Sequence, residues 1–329
     1  MPSAKKYFNL IAIIIALFIC ADTLYSYPLS KDLLRVPVGR VYDRIVEVIK
    51  DKEIRFAKEI DAKAVSAANN VAWRDNWALQ VTPSTVSSRI ERDSRSCIIS
   101  EMPDNSVDGV LWVARINTRG NPTALDPKVL WDRLTQSSPE AGSDTLICYA
   151  IGVTPEGSGK KGGGVSAKLI IEAREVAARD GLKFVYTLSP ALRFEEFKTQ
   201  YGEILKEKGI PEELWIYAYL VSIKDEGPFS YLEYIKEHGY IPINEYIKTA
   251  GKRLYCPTEG FHIIGNGAKI GAVLKNARPD CEYNVMYLYV NSESGLAGIR
   301  EKIMEILQRY NETNSLVFHS RIISAEISL

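Results

Sequence analysis

The chain has 329 residues, 46% of them hydrophobic and 25% charged, with 41 basic side chains balanced by 41 acidic ones. That is a globular composition, enough for one large domain or two small ones. The balanced charge gives no overall field to recruit nucleic acid, so a nucleic-acid partner is not expected and any basic site must be local.

At the N-terminus, Lys5 and Lys6 precede an apolar run, Leu10 to Ala21, with the charged start and short hydrophobic core of a secretory signal. Small residues at Ala21, Thr23 and Ser26 offer cleavage points. Residues 7–21 are short for a membrane span but could act as an uncleaved anchor. The protein is expected to be membrane-anchored or exported if this leader works, and cytoplasmic otherwise. Five scattered cysteines, Cys20, Cys97, Cys148, Cys256 and Cys281, form no metal-binding pattern, and their odd number argues against a full disulfide framework. No metal site is expected.

After this 1–27 leader, residues 28–52 read as a linker with a short helix at 41–49. A domain is expected over 53–292. Ile54 to Ala57 alternates as a strand, Asp61 to Trp73 is alanine-rich and helical with Asp61 as N-cap, and Pro83 to Arg92 is a second helix. Two strands follow, Cys97 to Glu101 and Val110 to Thr118, across the turn-like Pro103-Asp104-Asn105-Ser106. Pro127 to Leu134 reads as a short helix and Asp144 to Val153 as a long buried strand. The run Gly164 to Asp180 puts Val165, Leu169, Ala173 and Val176 on one helical stripe, closed by Gly181. Phe184 to Leu188 is the next strand. Residues 190–256 read as a tyrosine-rich helical insertion. Phe261 to Ile264, Ile270 to Leu274 and Val285 to Val290 restore strand character. The extension 293–329 holds a helix through Leu296, Ile299, Ile303, Ile306 and Leu307, then an edge strand at Leu316 to Ile327.

The most informative stretch joins the long strand to the helix at Gly164. Ile151, Gly152 and Val153 end the strand; Gly157, Gly159, Lys160, Lys161, Gly162, Gly163 and Gly164 follow, and Val165 opens the helix. Glycines at a helix start present free amides at the positive end of the helix dipole, a device for holding a phosphate or pyrophosphate. The string Gly157 to Gly162 satisfies G-x-G-x-x-G. However, Thr154-Pro155-Glu156 separates it from the strand, and no acidic residue ends the next strand at Thr187-Leu188-Ser189, so a dinucleotide site lacks its other parts. Lys160 is followed by Lys161 rather than Ser or Thr, so the P-loop pattern fails too.

The order of elements, with Ile151-Gly152-Val153-Thr154-Pro155 running into Gly159-Lys160-Lys161-Gly162-Gly163-Gly164, resembles the GNAT superfamily, the Gcn5-related N-acetyltransferases. Gly162 and Gly164 match the family's two small positions; Gly159 stands where Arg or Gln is usual. Gly260-Phe261-His262, Gly265 to Ile270 and Asn276-Ala277-Arg278-Pro279-Asp280 are similar to the late strands of larger members. The resemblance implies an α/β fold: a mixed, mostly antiparallel central sheet with flanking helices and a splayed central strand pair. It implies acetyl-CoA or another acyl-CoA as co-substrate, with the pyrophosphate held by the glycine loop and the pantetheine arm along Ile151 to Val153. Lys160 and Lys161 would add charge beside the phosphates.

The implied reaction is transfer of an acyl group to the amine of a small molecule or peptide. This needs a deprotonated amine and a stabilised thiolate. The family's acid tyrosine has no counterpart, since Ser189-Pro190 follows the relevant strand and Tyr201-Gly202 is wrongly spaced. Tyr149, expected on the same face as Ile147 and Ile151 by the period of two, and Tyr186 on the adjacent strand are the catalytic candidates. Glu101 could act as a base. His262, between Phe261 and Ile263, reads as a core or rim histidine. The insertion tyrosines could shape the acceptor pocket or pack a helical cap. A non-catalytic module that binds a CoA ester is the alternative to an enzyme.

Overall fold

The computed structural model describes residues 53–120, 125–136, 138–158, 164–239, 241–289 and 297–314. The leader, the linker helix, the glycine loop from 159 to 163 and the strand expected at 316–327 lie outside them. Among the described residues no helix is long and apolar enough to cross a membrane.

In chain order the strands are β1 (Glu53–Phe56), β2 (Cys97–Glu101), β3 (Val107–Ile116), β4 (Thr145–Val153), β5 (Phe184–Pro190), β6 (Lys269–Arg278) and β7 (Cys281–Leu288). The helices are α1 (Ala62–Ala72), α2 (Pro83–Arg92), α3 (Pro127–Gln136), α4 (Val165–Arg179), α5 (Phe194–Glu207), α6 (Trp215–Leu220), α7 (Ser230–His238), α8 (Ile243–Ala250) and α9 (Ala297–Asn314). The strands form one seven-stranded sheet in the order β1-β2-β3-β4-β5-β7-β6. Among the described strands only β4 and β5 run parallel; α4 is the crossover between them, as a parallel pair requires. This is the mixed, mostly antiparallel sheet that the GNAT resemblance implies.

Alternation along the strands divides the core between the two faces of the sheet. Leu146, Cys148 and Val185 belong to one cluster with Val165, Leu169, Ala173 and Val176 of α4, and with α5 to α9. Ile147, Tyr149 and Tyr186 belong to the other, with Val65 of α1, Val86 and Ile90 of α2, and Leu130 and Leu134 of α3. The four-residue stripe expected on α4 is wholly buried. Pro83 opens α2 and Thr82 caps it, accepting from the Thr85 amide at 3.1 Å, the ordinary chemistry of an N-cap.

Three local expectations differ. Asp61 does not cap α1; its carboxylate takes the Lys58 amide at 2.7 Å and the Arg55 guanidinium at 2.7 Å. Glu101, the candidate base, is held by the same guanidinium at 2.6 Å, and this pairing keeps both carboxyls below their ordinary pKa. Phe261 to Ile264 is not a strand. After the single turn Pro257–Glu259, residues Gly260–Gly265 form a π-helical turn. Within that turn His262 and Ile263 are buried and Ile264 is exposed, so one face of the turn packs into the core.

Helix α4 lies close on β3 because Gly109 lacks a side chain. A Cβ at Gly109 would stand 2.4 Å from Val165 Cγ1 and 3.1 Å from Leu169 Cδ1. The Gly109→Ala variant is therefore expected to lose about 1–3 kcal/mol, the usual cost of overpacking. Urea unfolding should show a lower midpoint at an unchanged slope.

Candidate functional site

Strands β4 and β5 pair only over Thr145 to Cys148 and Phe184 to Thr187. Beyond that β4 runs on to Val153 beside β3, while β5 turns to β7 and pairs as far as Pro190 with Asn284. The divergence begins at a bulge. Trp112 faces Ala150 and Val113 faces Cys148, so Tyr149 is an extra, unpaired residue in β4. A bulge of this kind bends its strand and shifts the side-chain alternation. Ile147 and Tyr149 consequently share one face, while Ile151 packs on the other, which corrects the expectation of a common face for all three.

The gap holds a cavity of about 290 Å³ lined by Cys148, Ala150 and Ile151 of β4, Thr187 to Pro190 of β5, Ile170 of α4, and Phe261, His262, Arg278 and Trp73. The wall is largely apolar, and the volume suits the acyl end of a ligand rather than a whole coenzyme.

His262 projects from the π-helical turn and is 3% exposed. Its Nε2 lies 2.7 Å from Ser189 Oγ, and its Nδ1 lies near Tyr289 OH (2.5 Å) and Thr187 Oγ1 (3.4 Å). The ring stacks on Tyr287 with centroids 4.4 Å apart. Thr187 and Ser189 reach the same ring because they are two residues apart on one strand. The imidazole thus bonds only to hydroxyl groups, and burial without an anionic partner pushes its pKa down to about 3. It is neutral at physiological pH, a hydroxyl–imidazole–hydroxyl relay able to pass a proton.

Arg278 bridges the gap. Its Nη1 donates to the carbonyls of Tyr149 on β4 (3.3 Å) and Leu188 on β5 (3.1 Å). Its Nε and Nη2 form a two-pronged pair with Asp280 at 2.9 and 2.8 Å. Asp280 also accepts from Asn76 Nδ2 at 2.8 Å, which ties in the segment after α1. On that segment Trp73 stands at the cavity wall, and its Nε1 is buried without a hydrogen-bond partner. Glu259, three residues before His262, is 0% exposed and neither carboxyl oxygen has a partner. Burial holds it protonated, well above the ordinary carboxyl range.

The residues expected from sequence are distributed unevenly. Ile151 lines the cavity. Gly152 makes room for α1, since a Cβ there would come within 2.9 Å of Ala72 Cβ and 3.0 Å of Trp73 Nε1. Val153 ends β4, half-buried against the α4 side of the core. Gly164, at φ +68°, turns the chain into α4, a conformation open to glycine at little cost. The first intrahelical bond back to Gly164 comes from Lys168, so the amides before it point out of the helix end. Val165 is buried against β3. Gly159, Lys160, Lys161, Gly162 and Gly163 lie outside the described residues.

Neither tyrosine chosen from sequence lines the cavity. Tyr149 turns its ring to the far face of β4, edge-on to Trp131 at 5.8 Å, and burial pushes its phenol up to about 12. Tyr186 is 0% exposed, its hydroxyl has no partner, and burial raises its pKa. The insertion tyrosines Tyr201, Tyr219 and Tyr255 pack with Phe194 and Phe197 in a ring cluster and do not line the cavity, the helical-cap alternative. Tyr240 lies outside the described residues. Ser189, Thr187, Arg278, Trp73 and Tyr289 escaped sequence reasoning. The available signal was the hydroxyl pair at a spacing of two on a strand, followed by the Gly-Phe-His and Arg-Pro-Asp triplets.

No protein-family model and no curated protein matches the chain. Among solved structures it is similar to the loading GNATL domain of CurA from Lyngbya majuscula, with 18% identity and a TM-score of 0.45, covering 73% of this chain and 98% of that one. It is similar to the GphF GNAT-like decarboxylase in complex with isobutyryl-CoA, with 18% identity and a TM-score of 0.43, covering 72% and 98%. A malonyl-CoA decarboxylase from Agrobacterium vitis shows 17% identity and a TM-score of 0.46, covering 76% of this chain and 62% of that one. At these identities the likeness is one of fold. The strand order and the splayed parallel pair make the fold GNAT-like.

The buried ion pair and the two buried neutral groups each lead to a prediction. Arg278→Met alone should cost about 3–5 kcal/mol because it strands Asp280, whereas Arg278→Met with Asp280→Asn should cost clearly less; urea unfolding of both variants checks this. His262 and Glu259 should tilt stability with pH in opposite directions. Unfolded His262 takes a proton below its ordinary 6.5 while the folded residue refuses one down to about 3, so stability is lost as pH falls through that window. Unfolded Glu259 releases its proton above its ordinary 4.5 while the folded residue keeps it, so stability is lost as pH rises. Each contributes a slope of up to about 1.4 kcal/mol per pH unit. Unfolding free energies measured from pH 4 to 8 should show that His262→Gln removes the acid-side loss and Glu259→Gln the alkaline-side loss.

Proposed function

We propose that the protein is an enzyme acting on an acyl-coenzyme A, with the acyl end in the cavity between β4 and β5 and with Ser189 and His262 handling the proton. The observation that carries this reading is the Ser189–His262 contact of 2.7 Å in a largely apolar cavity. The fit with the coenzyme rests on two features. Strand β4 continues past its last pairing with β5, which leaves an inner edge suited to the amides of a pantetheine arm. The glycine turn opening α4 suits its phosphates. Bound coenzyme would supply the thioester that activates the acyl group.

The reaction this lining supports best is loss of carbon dioxide from a carboxyacyl thioester. The bond between the carboxylate and the α-carbon breaks, and its electron pair passes into the thioester carbonyl as an enolate. A localised charge becomes a dispersed one, a change that an apolar wall favours over water. The enolate is a strong base, so the neutral Ser189–His262 pair is acid enough to protonate the α-carbon, and solvent replaces the proton.

Acyl transfer to an amine is the second reading, favoured by the splayed strands themselves. An ammonium substrate would first have to lose a proton. A histidine held near 3 is a poor acceptor for it, and the cavity lining carries no carboxylate. That reading fits an amine that arrives uncharged.

The test is turnover of malonyl-CoA and related carboxyacyl-CoAs, followed as acyl-CoA product and carbon dioxide, beside acetyl-CoA offered with a panel of amines. Decarboxylation is expected, with Ser189→Ala and His262→Gln each lowering kcat by about 10²–10⁴-fold while CoA-ester binding persists. Thiol release that depends on an amine would favour the second reading. Absence of any CoA-ester binding would overturn both.

A further inference from the structure

The imidazole of His262 is claimed by two hydroxyls at once. Ser189 Oγ lies 2.7 Å from Nε2, and the Tyr289 phenol lies 2.5 Å from Nδ1. A neutral imidazole has one N–H to give and one lone pair to receive. One hydroxyl must therefore donate to the ring while the other accepts from it. The choice decides the chemistry, because Ser189 lines the cavity and Tyr289 does not. A Ser189 that donated to Nε2 would point its only proton away from a ligand. A Ser189 that accepts from Nε2 can turn that proton into the cavity.

The lone pair goes to the better donor. Ser189 and Tyr289 are each 8% exposed, so burial weakens both alike. The phenol keeps the advantage that its ordinary pKa of about 10 gives it over an alkanol. Burial raises the Tyr289 pKa, and the hydroxyl of Thr187 and the charge of Arg174 act against that rise. A neutral neighbour favours the phenolate by donating to the phenol oxygen, and a cation favours it by its charge. Arg174 of α4 lies over the ring at 5.8 Å. Thr187 nears Nδ1 only at 3.4 Å, against 2.5 Å for Tyr289, so it serves the phenol rather than the imidazole. The backbone seats Tyr289 there, since its amide donates to the Val185 carbonyl of β5 at 2.9 Å. Its ring stands edge-on to the imidazole, with centroids 6.1 Å apart. Donation thus runs from Thr187 to Tyr289 to His262 to Ser189.

We propose that Tyr289 is a positioning residue: its hydroxyl donates to Nδ1, holds His262 as the Nε2–H tautomer and so turns the Ser189 proton toward the cavity. The use made of that proton rests on the acyl-CoA reading; the tautomer itself does not.

Two-bond ¹H–¹⁵N spectra of the full chain labelled with ¹⁵N-histidine test it, since they show which ring nitrogen carries the proton. The chain has three histidines, His238, His262 and His319, and His262→Gln identifies the His262 signals by their loss. At neutral pH His262 is expected as the Nε2–H tautomer. Tyr289→Phe, which keeps the ring, is expected to bring up the Nδ1–H form, with Ser189 now donating. Thr187→Val should leave the tautomer as it is. In turnover of a carboxyacyl-CoA, Tyr289→Phe should lower kcat about tenfold or more at an unchanged KM. An Nδ1–H or mixed His262 in the unsubstituted chain would overturn the proposal. So would a tautomer or a kcat that Tyr289→Phe leaves intact, or a tautomer that only Thr187→Val disturbs. If Tyr289→Phe fails to fold, the spectrum of the unsubstituted chain still carries the test. The spectra need no substrate, so failure of the acyl-CoA reading and failure of the positioning role are told apart.

Discussion

The structure turns on the Arg278 guanidinium wedged where β4 and β5 part. Parallel strands that stop pairing leave backbone carbonyls unsatisfied inside the protein, and such groups must find donors. One nitrogen of Arg278 reaches a carbonyl on each strand, and the other two are neutralised by Asp280. The same carboxylate holds Asn76 and so the segment bearing Trp73. One buried ion pair therefore keeps the gap open, satisfies its edges and positions part of its wall. Residues far apart in sequence are bound to a single geometric requirement.

That requirement also defines the chemistry. The gap is deep and mostly apolar, so a group placed in it loses water and shifts toward its neutral form. His262 meets only hydroxyls and a tyrosine ring, and is held neutral. Glu259, one turn earlier in the chain, is held neutral from the other direction. Apart from Arg278, which is paired with Asp280, the cavity lining is uncharged, and hydroxyl and imidazole groups are close. Such a place speeds reactions that spread charge and does little for those that must first remove a proton from an ammonium group.

Much of this architecture is legible in the sequence. The stripe Val165, Leu169, Ala173 and Val176, the helix opening at Pro83 and the apolar runs at 97–101 and 146–153 specify their elements through local pattern alone. Legibility fails where two signals look the same locally. Phe261 to Ile264 is a short apolar run that reads equally well as a strand or a buried helical turn, and only its packing selects the π-helical turn. Tyr149 is misplaced by a period-two reading because a bulge depends on the partner strand, not on the strand itself.

The sequence by itself determined most of the element order from β1 to β5, because periodicity, capping and turn chemistry act over a few neighbouring residues; the mixed sheet was what the resemblance to the GNAT superfamily implied. Tertiary structure alone decided which side chains share a cavity. Ser189 and His262 are 73 residues apart, and Arg278 reaches Tyr149 across 129. Such meetings are set by strand order and by where two strands diverge, and no local pattern records them.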